Sequence, residues 1–265
     1  MGMSLIVGID EVGYGPPLGP LVVCAAAARG PLPGGVRIAD SKKVFSQARG
    51  RGVLEPAVLG FLQVRSFSKL LERLSSQVPA SPWYSSPLGL PETAPLTGLV
   101  GAWVRIVEPD EFNASTKTCN KSDFLFQVAA RLIREIRDRH PEPIRFMVGK
   151  HGGRNLYLRG MQEQVDPAVT AVEESRKRSV YQLSRGSVEF LMDAEDQHEL
   201  VALASMIGKY VRECAMELFN AWWAGHCDGL RRTAGYGPDA HRFYRAIEPA
   251  RRRLKLSRES VLRLR

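Results

Sequence analysis

Two adjacent acids near the start of the chain, Asp10 and Glu11, are the residues best suited to chemistry. They follow an apolar run at 4–9, which predicts a buried strand, and they enter a turn that contains Gly13 and Gly15. Adjacent carboxylates at the end of a buried strand are electrostatically costly unless a cation neutralises them. Mg²⁺ is the natural candidate, because it is held by few carboxylates plus water and phosphate. The alternative is a β-turn with two solvated acids.

Groups suited to phosphate contacts lie close to this acid pair in the sequence. Gly13 and Gly15 would let backbone N–H groups approach a phosphate closely. The run at 40–43 adds the hydroxyl of Ser41 and the two cations of Lys42 and Lys43. The alternative for the lysines is a solvated surface position. The two segments together predict a site for a phosphate-bearing ligand beside a metal ion.

Hydrophobic periodicity predicts the elements that must position these groups. Strand-like runs lie at 4–9, 20–28, 144–148 and 188–192, and helical stripes at 67–74, 121–140 and 200–223. Strands followed by helices predict an α/β domain. The last helix has a small face that could pack closely on the sheet, formed by Ala202, Ala204, Ser205 and Gly208. The Pro/Ser-rich stretch at 78–95 is interpreted as a surface insertion.

Composition excludes several classes of protein. A chain of 265 residues with 44% hydrophobic residues can bury a core, so it is not intrinsically disordered. No apolar run approaches the roughly 20 residues that cross a bilayer, and we expect neither a signal peptide nor a myristoylation site. The cysteines are scattered without a C-x-x-C, which favours reduced thiols over a zinc site or a disulfide framework. A cytoplasmic protein is therefore predicted.

The positive charge is concentrated at one end of the sequence. The net charge is +9, and residues 231–265 contain eleven Arg or Lys against three acids. A concentrated basic patch fits a polyanionic partner and salt-sensitive binding. The alternative is a solvated basic tail.

Several segments in order resemble the type 2 ribonuclease H family. GIDEVGYGPPLGPLVV followed by ADSKK resembles the opening of that family, with a strand, Asp-Glu, a Gly-x-Gly turn and Asp-Ser-Lys-Lys. NKSDFLFQVAARLI resembles its central helix, ALASMIGKYVRE its Ala-Ala-Ser-x-x-Ala-Lys helix, and TAGYGPDAHRFYRAI its later Gly-Tyr-Gly segment. The resemblance spans most of the chain apart from about 62–100, and identifies it as a divergent member.

The resemblance implies a fold and a domain layout. We expect an α/β ribonuclease H-like fold, with a mixed five-stranded sheet flanked by helices and a C-terminal helical extension. The catalytic domain would span 1–230 with an insertion at about 62–100. The basic segment 231–265 would pack on it or contact nucleic acid.

The resemblance also implies an activity. It predicts a monomeric endoribonuclease that cleaves the RNA strand, or embedded ribonucleotides, in RNA–DNA hybrid duplexes. Hydrolysis would use two divalent ions, Mg²⁺ or Mn²⁺, which activate water and stabilise the leaving 3′ oxygen. A metabolic enzyme that binds a nucleotide or phosphate is the alternative from another class, and it would show no salt-sensitive affinity for duplexes.

Four acidic positions hold the ions in the family, and two of them correspond to Asp10 and Glu11. The third falls on Gly149, which has no side chain to bind a metal. Glu173 and Glu174 are possible substitutes; the alternative is that they are surface acids beside neighbouring arginines. Gly149 therefore leaves a second function open, a catalytically impaired hybrid-binding protein of the same fold.

The fourth acidic position lies ten residues before Ser205. Counting back gives Glu195, with Asp193 and Asp196 close by. We predict Glu195 as the catalytic and metal-binding residue, with Asp196 as the second candidate for the metal. The alternative is a solvated acidic turn.

The remaining predicted substrate contacts come from several segments. In the family the Gly-x-Gly turn helps to recognise the ribose 2′-hydroxyl, and its backbone contacts would be kept here because Gly13 and Gly15 remain. Tyr14 stands where the family usually has Arg or Lys, so it removes a cation and adds a stacking surface or a hydroxyl. Arg154 could contact a phosphate, Lys209 the substrate backbone, and Tyr236 could stack on a sugar. The alternatives are a solvated helix residue for Lys209 and an ordinary half-buried aromatic for Tyr236, as for Tyr157. The histidines at 151, 198 and 241 show no metal-ligand spacing and are predicted to lie on the surface.

Overall fold

The computed structural model describes residues 4–264, which form a mixed seven-stranded sheet with helices on both faces. The strand order is β3-β2-β1-β4-β7-β6-β5. The strands are β1 Leu5–Val12, β2 Leu21–Ala28, β3 Leu99–Val107, β4 Ile144–Gly149, β5 Thr170–Glu174, β6 Arg178–Gln182 and β7 Gly186–Leu191. Strands β1, β4 and β7 run parallel, and the other neighbouring strands pair antiparallel. The carboxyl ends of the three parallel strands therefore meet at one edge.

Nine α-helices cover the sheet within residues 4–264, with short 3₁₀ turns at Arg51–Leu54 and Pro82–Ser85. The α-helices are α1 Ser41–Val44, α2 Glu55–Leu62, α3 Phe67–Arg73, α4 Pro109–Ser115, α5 Lys121–Arg139, α6 Leu158–Gln164, α7 Ala194–Gln197, α8 Glu199–Ala224 and α9 Gly237–Arg253. The predicted α/β class and the helices expected at 67–74, 121–140 and 200–223 are confirmed.

Strand β2 shows why the sheet lies between two apolar layers. All of its residues are buried. Alternate side chains such as Val22 and Cys24 join the layer that contains α8, while Leu21 and Val23 join the layer that contains α5. A period of two on a strand places neighbours on opposite faces, so a continuous apolar run indicates burial on both sides.

Helix α8 packs closely against the sheet because glycine and small residues lie at the contact. A Cβ on Gly8 of β1 would lie 2.2 Å from the carbonyl carbon of Leu200, at the start of α8. A Cβ on Gly208 would lie 3.3 Å from a methyl carbon of Val12. The small face predicted for this helix does face the sheet. Strand β1 and helix α8 are thereby held at close distance, which brings the acids of β1 near Ser205.

The sheet has seven strands and not the five that were expected. The two additional strands, β5 and β6, form a hairpin that extends the sheet beyond β7. The hairpin is anchored because Ser179 and Tyr181 of β6 are buried, whereas every residue of β5 is exposed. A strand at 178–182 shows only a short alternation, which is a weak sequence signal.

The stretch at 78–95 was expected to be a surface insertion; most of its residues are exposed or half-buried, but the stretch also reaches the core. Trp83 and Tyr84 are buried in the same apolar layer as α8. The ring of Trp83 packs edge-on against Phe219, with 5.2 Å between ring centroids. The hydroxyl of Tyr84 donates a hydrogen bond of 2.7 Å to the buried carboxylate of Glu108. The aromatic side chains of this Pro/Ser-rich segment therefore pack in the core and anchor the segment there.

Helix α9 lies in the basic segment and contributes Phe243 and Ile247 to the core. The residues that follow it return to the start of the chain, because Val261 and Leu262 are also buried and Leu262 forms an isolated β-bridge with Leu18. Within residues 4–264, no helix is both long enough and apolar enough to cross a membrane.

Candidate active-site cleft

Asp10 and Glu11 lie near the carboxyl end of β1, where the parallel strands converge. Ile9 pairs with Val148 of β4, so the position after Val148 is Gly149, beside the acids. Gly149 pairs in turn with Leu191, the last residue of β7. Ligands of open α/β sheets commonly bind at the carboxyl ends of the strands. Topology thus brings together three chain segments that are far apart in sequence.

The two acids occupy an environment that disfavours their charged forms. Burial raises the pKa of Asp10 to about 7, with a further increase from Glu195, while a hydrogen bond from Ser205 acts in the opposite direction. Burial also raises the pKa of Glu11 well above its ordinary value, and the neighbouring Asp10 adds to this effect. Both side chains keep partial access to solvent through the cleft. The pair is short of positive charge, as expected for carboxylates that bind a cation.

Gly149 lies directly against this pair. A Cβ at this position would lie 3.3 Å from Oδ1 of Asp10 and 3.8 Å from Oε2 of Glu11. The backbone of Gly149 has no positive φ, so its conformation does not itself require glycine. A side chain here would enter the acid cluster, and the glycine leaves a gap at this point.

Glu195 approaches the cluster from the segment after β7. Together with Asp10, Glu11 and Gly149 it lines a cavity of about 190 Å³. Its Oε1 lies 3.4 Å from Nζ of Lys42. The adjacent residue, Asp196, faces outward and pairs with Lys43 at 2.5 Å, where both side chains are about half exposed. Neither Asp196 nor Lys43 lines the cavities at the acid pair.

The oxygen donors fit a hard divalent cation, although the site is incomplete. Asp10 and Glu11 supply carboxylates on a rigid strand, and Glu195 lines the same cavity. In the described part of the chain, no three His, Cys, Asp or Glu side chains are close enough to form a metal-binding group. Mg²⁺ or Mn²⁺ held by two carboxylates would keep several water ligands, which suits this donor set.

A second, larger cavity of about 570 Å³ is also lined by the acid pair. It is lined by most of the substrate contacts predicted from the sequence, namely Gly13, Tyr14, Gly15, Ser41, Lys209 and Tyr236. The side chain of Tyr236 is accessible, with 45% of the residue exposed. Asp10, Glu11 and Lys42 line both cavities, so the acid pair is accessible from each of them.

Polar contacts fix several side chains of this larger cavity. The hydroxyls of Ser41 and Ser205 are 2.9 Å apart and buried, so Ser41 joins α1 to α8. The ammonium of Lys209 pairs with Glu213 at 2.7 Å and lies 4.0 Å from the ring centroid of Phe45. Lys209 is only 8% exposed, so it is not the solvated helix residue considered as its alternative.

Arg154 lies outside the cleft. It lines a separate depression of about 440 Å³ with Asp123, to which its guanidinium is ion-paired. The neighbouring Tyr157 is fully buried and stacks on Phe190 with 3.7 Å between ring centroids. A phosphate contact by Arg154 would therefore lie away from the acid pair and remains a prediction.

Two further expectations concern residues near the acids. His151 was expected on the surface, and this is wrong: it is 2% exposed, and burial lowers its pKa to about 3. It packs among Phe126, Tyr157 and Phe190, an aromatic environment that excludes water. Glu173 pairs with Arg178, as the surface-acid alternative requires, and lines neither cavity at the acid pair.

Sequence reasoning named both lysines of the run at 40–43 as cations and chose Lys43 as the substrate contact, but Lys42 is the one that faces the acid pair. It also missed the contact made by Ser205. Lys42 lines both cavities and is a source of positive charge for Asp10, Glu11 and Glu195. A lysine pair gives no sign of which member faces a cleft. Ser205 was used to count back to Glu195, but its hydrogen bonds to Asp10 and Ser41 depend on how α8 packs on β1.

Comparison with known proteins supports the fold. No protein-family model matches the chain, and no curated protein sequence matches it. The chain is structurally similar to the PCNA:RNase HII complex from Archaeoglobus fulgidus, with a TM-score of 0.50, 19% identity, and coverage of 98% of this chain and 94% of that chain. It is also similar to the ribonuclease H2 from Pyrococcus horikoshii OT3, with a TM-score of 0.52, 16% identity, and coverage of 97% and 92%. The fold is that of the ribonuclease HII structures.

Proposed function

We propose that this chain is a divergent type 2 ribonuclease H that hydrolyses the RNA strand, or embedded ribonucleotides, in RNA–DNA hybrid duplexes. The observation that carries the proposal is the acid pair of Asp10 and Glu11, which lines both cavities of the cleft beside the Gly13–Gly15 turn. The similarity of the fold to the ribonuclease HII structures supports the same proposal. The proposed partner is a hybrid duplex, bound by a monomer in the cytoplasm.

Asp10, Glu11 and Glu195 are the residues proposed to hold Mg²⁺ or Mn²⁺. When bound, such ions supply activation of water and stabilisation of the leaving oxygen. The chain itself would orient the duplex through the backbone of the Gly13–Gly15 turn and the exposed ring of Tyr236. Lys209, Lys42 and the basic α9 would offset phosphate charge.

Cleavage of a labelled duplex tests the proposal. Duplexes with a continuous RNA strand, with one embedded ribonucleotide, or with DNA only would be incubated with Mg²⁺ or Mn²⁺. We expect cuts in the first two only, and near-complete loss of cleavage in Asp10→Asn. Normal activity of that variant would place the site elsewhere. Absence of salt-sensitive binding to any duplex would instead favour a metabolic enzyme.

A second function, hybrid binding with impaired catalysis, is favoured specifically by Gly149. The wild type would be compared with Gly149→Asp, which adds a carboxylate against Asp10, and with Gly153→Asp as a matched control. Gly153 is exposed, has an ordinary φ and has no atom within 4 Å of an added Cβ. Cleavage by Gly149→Asp alone would identify the natural protein as a degraded enzyme. If the wild type and Gly149→Asp both bind hybrids and neither of them cuts, the enzyme proposal fails.

A further inference from the structure

The Gly-rich turn at the cleft is held from beneath by an arginine 250 positions away in sequence. The guanidinium of Arg263 donates to the carbonyl oxygen of Gly13 at 2.6 Å and to that of Gly19 at 2.8 Å. Its backbone N–H donates to the carbonyl of Pro17 at 2.8 Å. Residue 263 thus bonds to both ends and to the middle of the segment 13–19.

Arg263 is an expensive residue to bury. It is 4% exposed, and its Nε has no hydrogen-bond partner among the described residues. Burial lowers its pKa to about 9, and the neighbouring cation of Arg212 lowers it further, while the charge of Glu108 acts in the opposite direction. Burying a cation is costly unless its hydrogen-bond donors find acceptors. Here the guanidinium N–H groups donate to the carbonyl oxygens of Gly13 and Gly19.

The segment that contains Arg263 is also held by residues outside the segment 13–19. The side-chain amide of Asn113 donates to the carbonyls of Glu259 and Leu262 at 3.0 and 2.8 Å, and its oxygen accepts from the N–H of Leu264 at 2.8 Å. Phe112 lies under the guanidinium, with 4.8 Å from Cζ to the ring centroid. Helix α4 therefore provides a rigid base for Arg263.

A second arginine, Arg212 of α8, joins the same turn to Tyr236. Its Nη2 donates to the carbonyls of Leu18 and Ala234, and Cζ lies 5.0 Å from the ring centroid of Tyr236. A Cβ on Gly13 would lie 2.5 Å from Nε of Arg212, so this glycine is required for the close approach. The two guanidinium groups therefore lie beneath the wall of the cleft.

We propose, on the basis of the proposed function, that Arg263 is a positioning residue for substrate, which fixes the backbone of the segment 13–19 and places positive charge beneath it. Tyr14 brings no cation to this turn, so the charge acts on phosphate from the protein side. Charge-assisted hydrogen bonds to two carbonyls give geometric definition that a single neutral bond does not. Arg263 itself does not line the cleft cavities.

Hydrogen exchange and hybrid affinity of the full chain would test this role together. In Arg263→Met, we expect the amides at 13–19 to exchange at least ten-fold faster and KM for a hybrid to rise at least ten-fold. We expect kcat to change less than three-fold, because the acid pair is not touched. Arg263→Lys keeps the charge and can reach one carbonyl, so it should restore part of both effects.

Arg137→Met is the matched control. Arg137 is also a buried arginine, but it bonds to Val165, Asp166 and Ser184, none of which belongs to the segment 13–19. Its loss should lower stability without faster exchange at 13–19. Unchanged exchange in Arg263→Met would overturn the inference, as would faster exchange with unchanged hybrid affinity. A wild type that neither binds nor cuts hybrids would overturn the proposed function, while the exchange rates alone would still decide whether Arg263 holds the turn.

Discussion

Replacing Asp10 by asparagine should stabilise the metal-free protein while abolishing its activity. The side chain keeps its size and can still accept the hydrogen bond of Ser205, but it no longer has a charge to bury. A carboxyl whose pKa is raised on folding contributes stability that is present below its unfolded pKa and is lost as pH rises through the folded value. For Asp10 these values are 3.8 and about 7.

The size of this effect follows from the two pKa values. A rise from 3.8 to about 7 corresponds to roughly 4 kcal/mol of unfolding free energy lost between these pH values. Because the carboxyl opens on the cleft, solvent screens part of this effect, and we expect about 2–4 kcal/mol. That is a large fraction of the roughly 5–15 kcal/mol that stabilises a typical domain.

Urea unfolding in EDTA at pH 5 and pH 8, followed by tryptophan fluorescence, measures the free energy of unfolding of the wild type and of Asp10→Asn. The wild type should be less stable at pH 8, and Asp10→Asn should exceed it there by about 2–4 kcal/mol. Some dependence on pH should persist in the variant, because burial also raises the pKa of Glu11. Asp138→Asn, at an exposed acid of α5, is the control. It should leave the change in unfolding free energy between pH 5 and pH 8 as it is in the wild type.

Saturating Mn²⁺ should narrow the difference in stability between Asp10→Asn and the wild type. A ligand at 100 times its Kd stabilises the folded state by about 2.7 kcal/mol, and the wild type should gain more than Asp10→Asn. An Asp10→Asn protein that is less stable than the wild type at pH 8 without metal would refute the reasoning, because it would show that the charged carboxylate makes net favourable contacts.

Three further predictions follow from burial and exposure. Trp83→Ala should cost about 3–5 kcal/mol of stability in urea unfolding. Val78→Ala, at a site 42% exposed, should change stability little. Equal losses of stability in the two variants would show that Trp83 does not pack in the core. Tyr236→Ala should weaken hybrid binding about ten-fold while Tyr236→Phe binds normally, if the ring stacks; titration of labelled hybrid measures both. Combined Arg245→Gln and Arg252→Gln should lower the salt slope of hybrid binding by up to about 2, and an unchanged slope would leave α9 as a solvated basic surface.

The structure also changes how the basic segment can be tested. Deleting the residues after Pro249 would have been the simplest way to remove its charge. That deletion would also remove Val261, Leu262 and Arg263, all of which are buried. A flatter salt dependence could then result from a damaged turn. Substitutions on the exposed face of α9 avoid this problem, because Arg245 and Arg252 contribute nothing to the core.

Local pattern in the sequence was sufficient for the main elements and for half of the acid cluster. The stripe of Phe124, Val128 and Leu132 predicts α5, and the apolar run before Asp10 predicts β1, because periodicity reports which face of a single element meets the core. The resemblance to the family placed the third acidic position at the end of the central strand, on Gly149, and the structure does put that position against Asp10.

Tertiary structure alone decided which polar groups meet. His151 has a polar side chain in a Gly-rich segment, and only the rings packed around it show that it is buried and neutral. Lys42 and Lys43 are equivalent by sequence, yet one faces the acid pair and the other faces Asp196. The bond from Arg263 to Gly13 joins residues 250 positions apart. Periodicity has a range of one element, whereas these contacts depend on how distant elements are placed by the packing of the whole core.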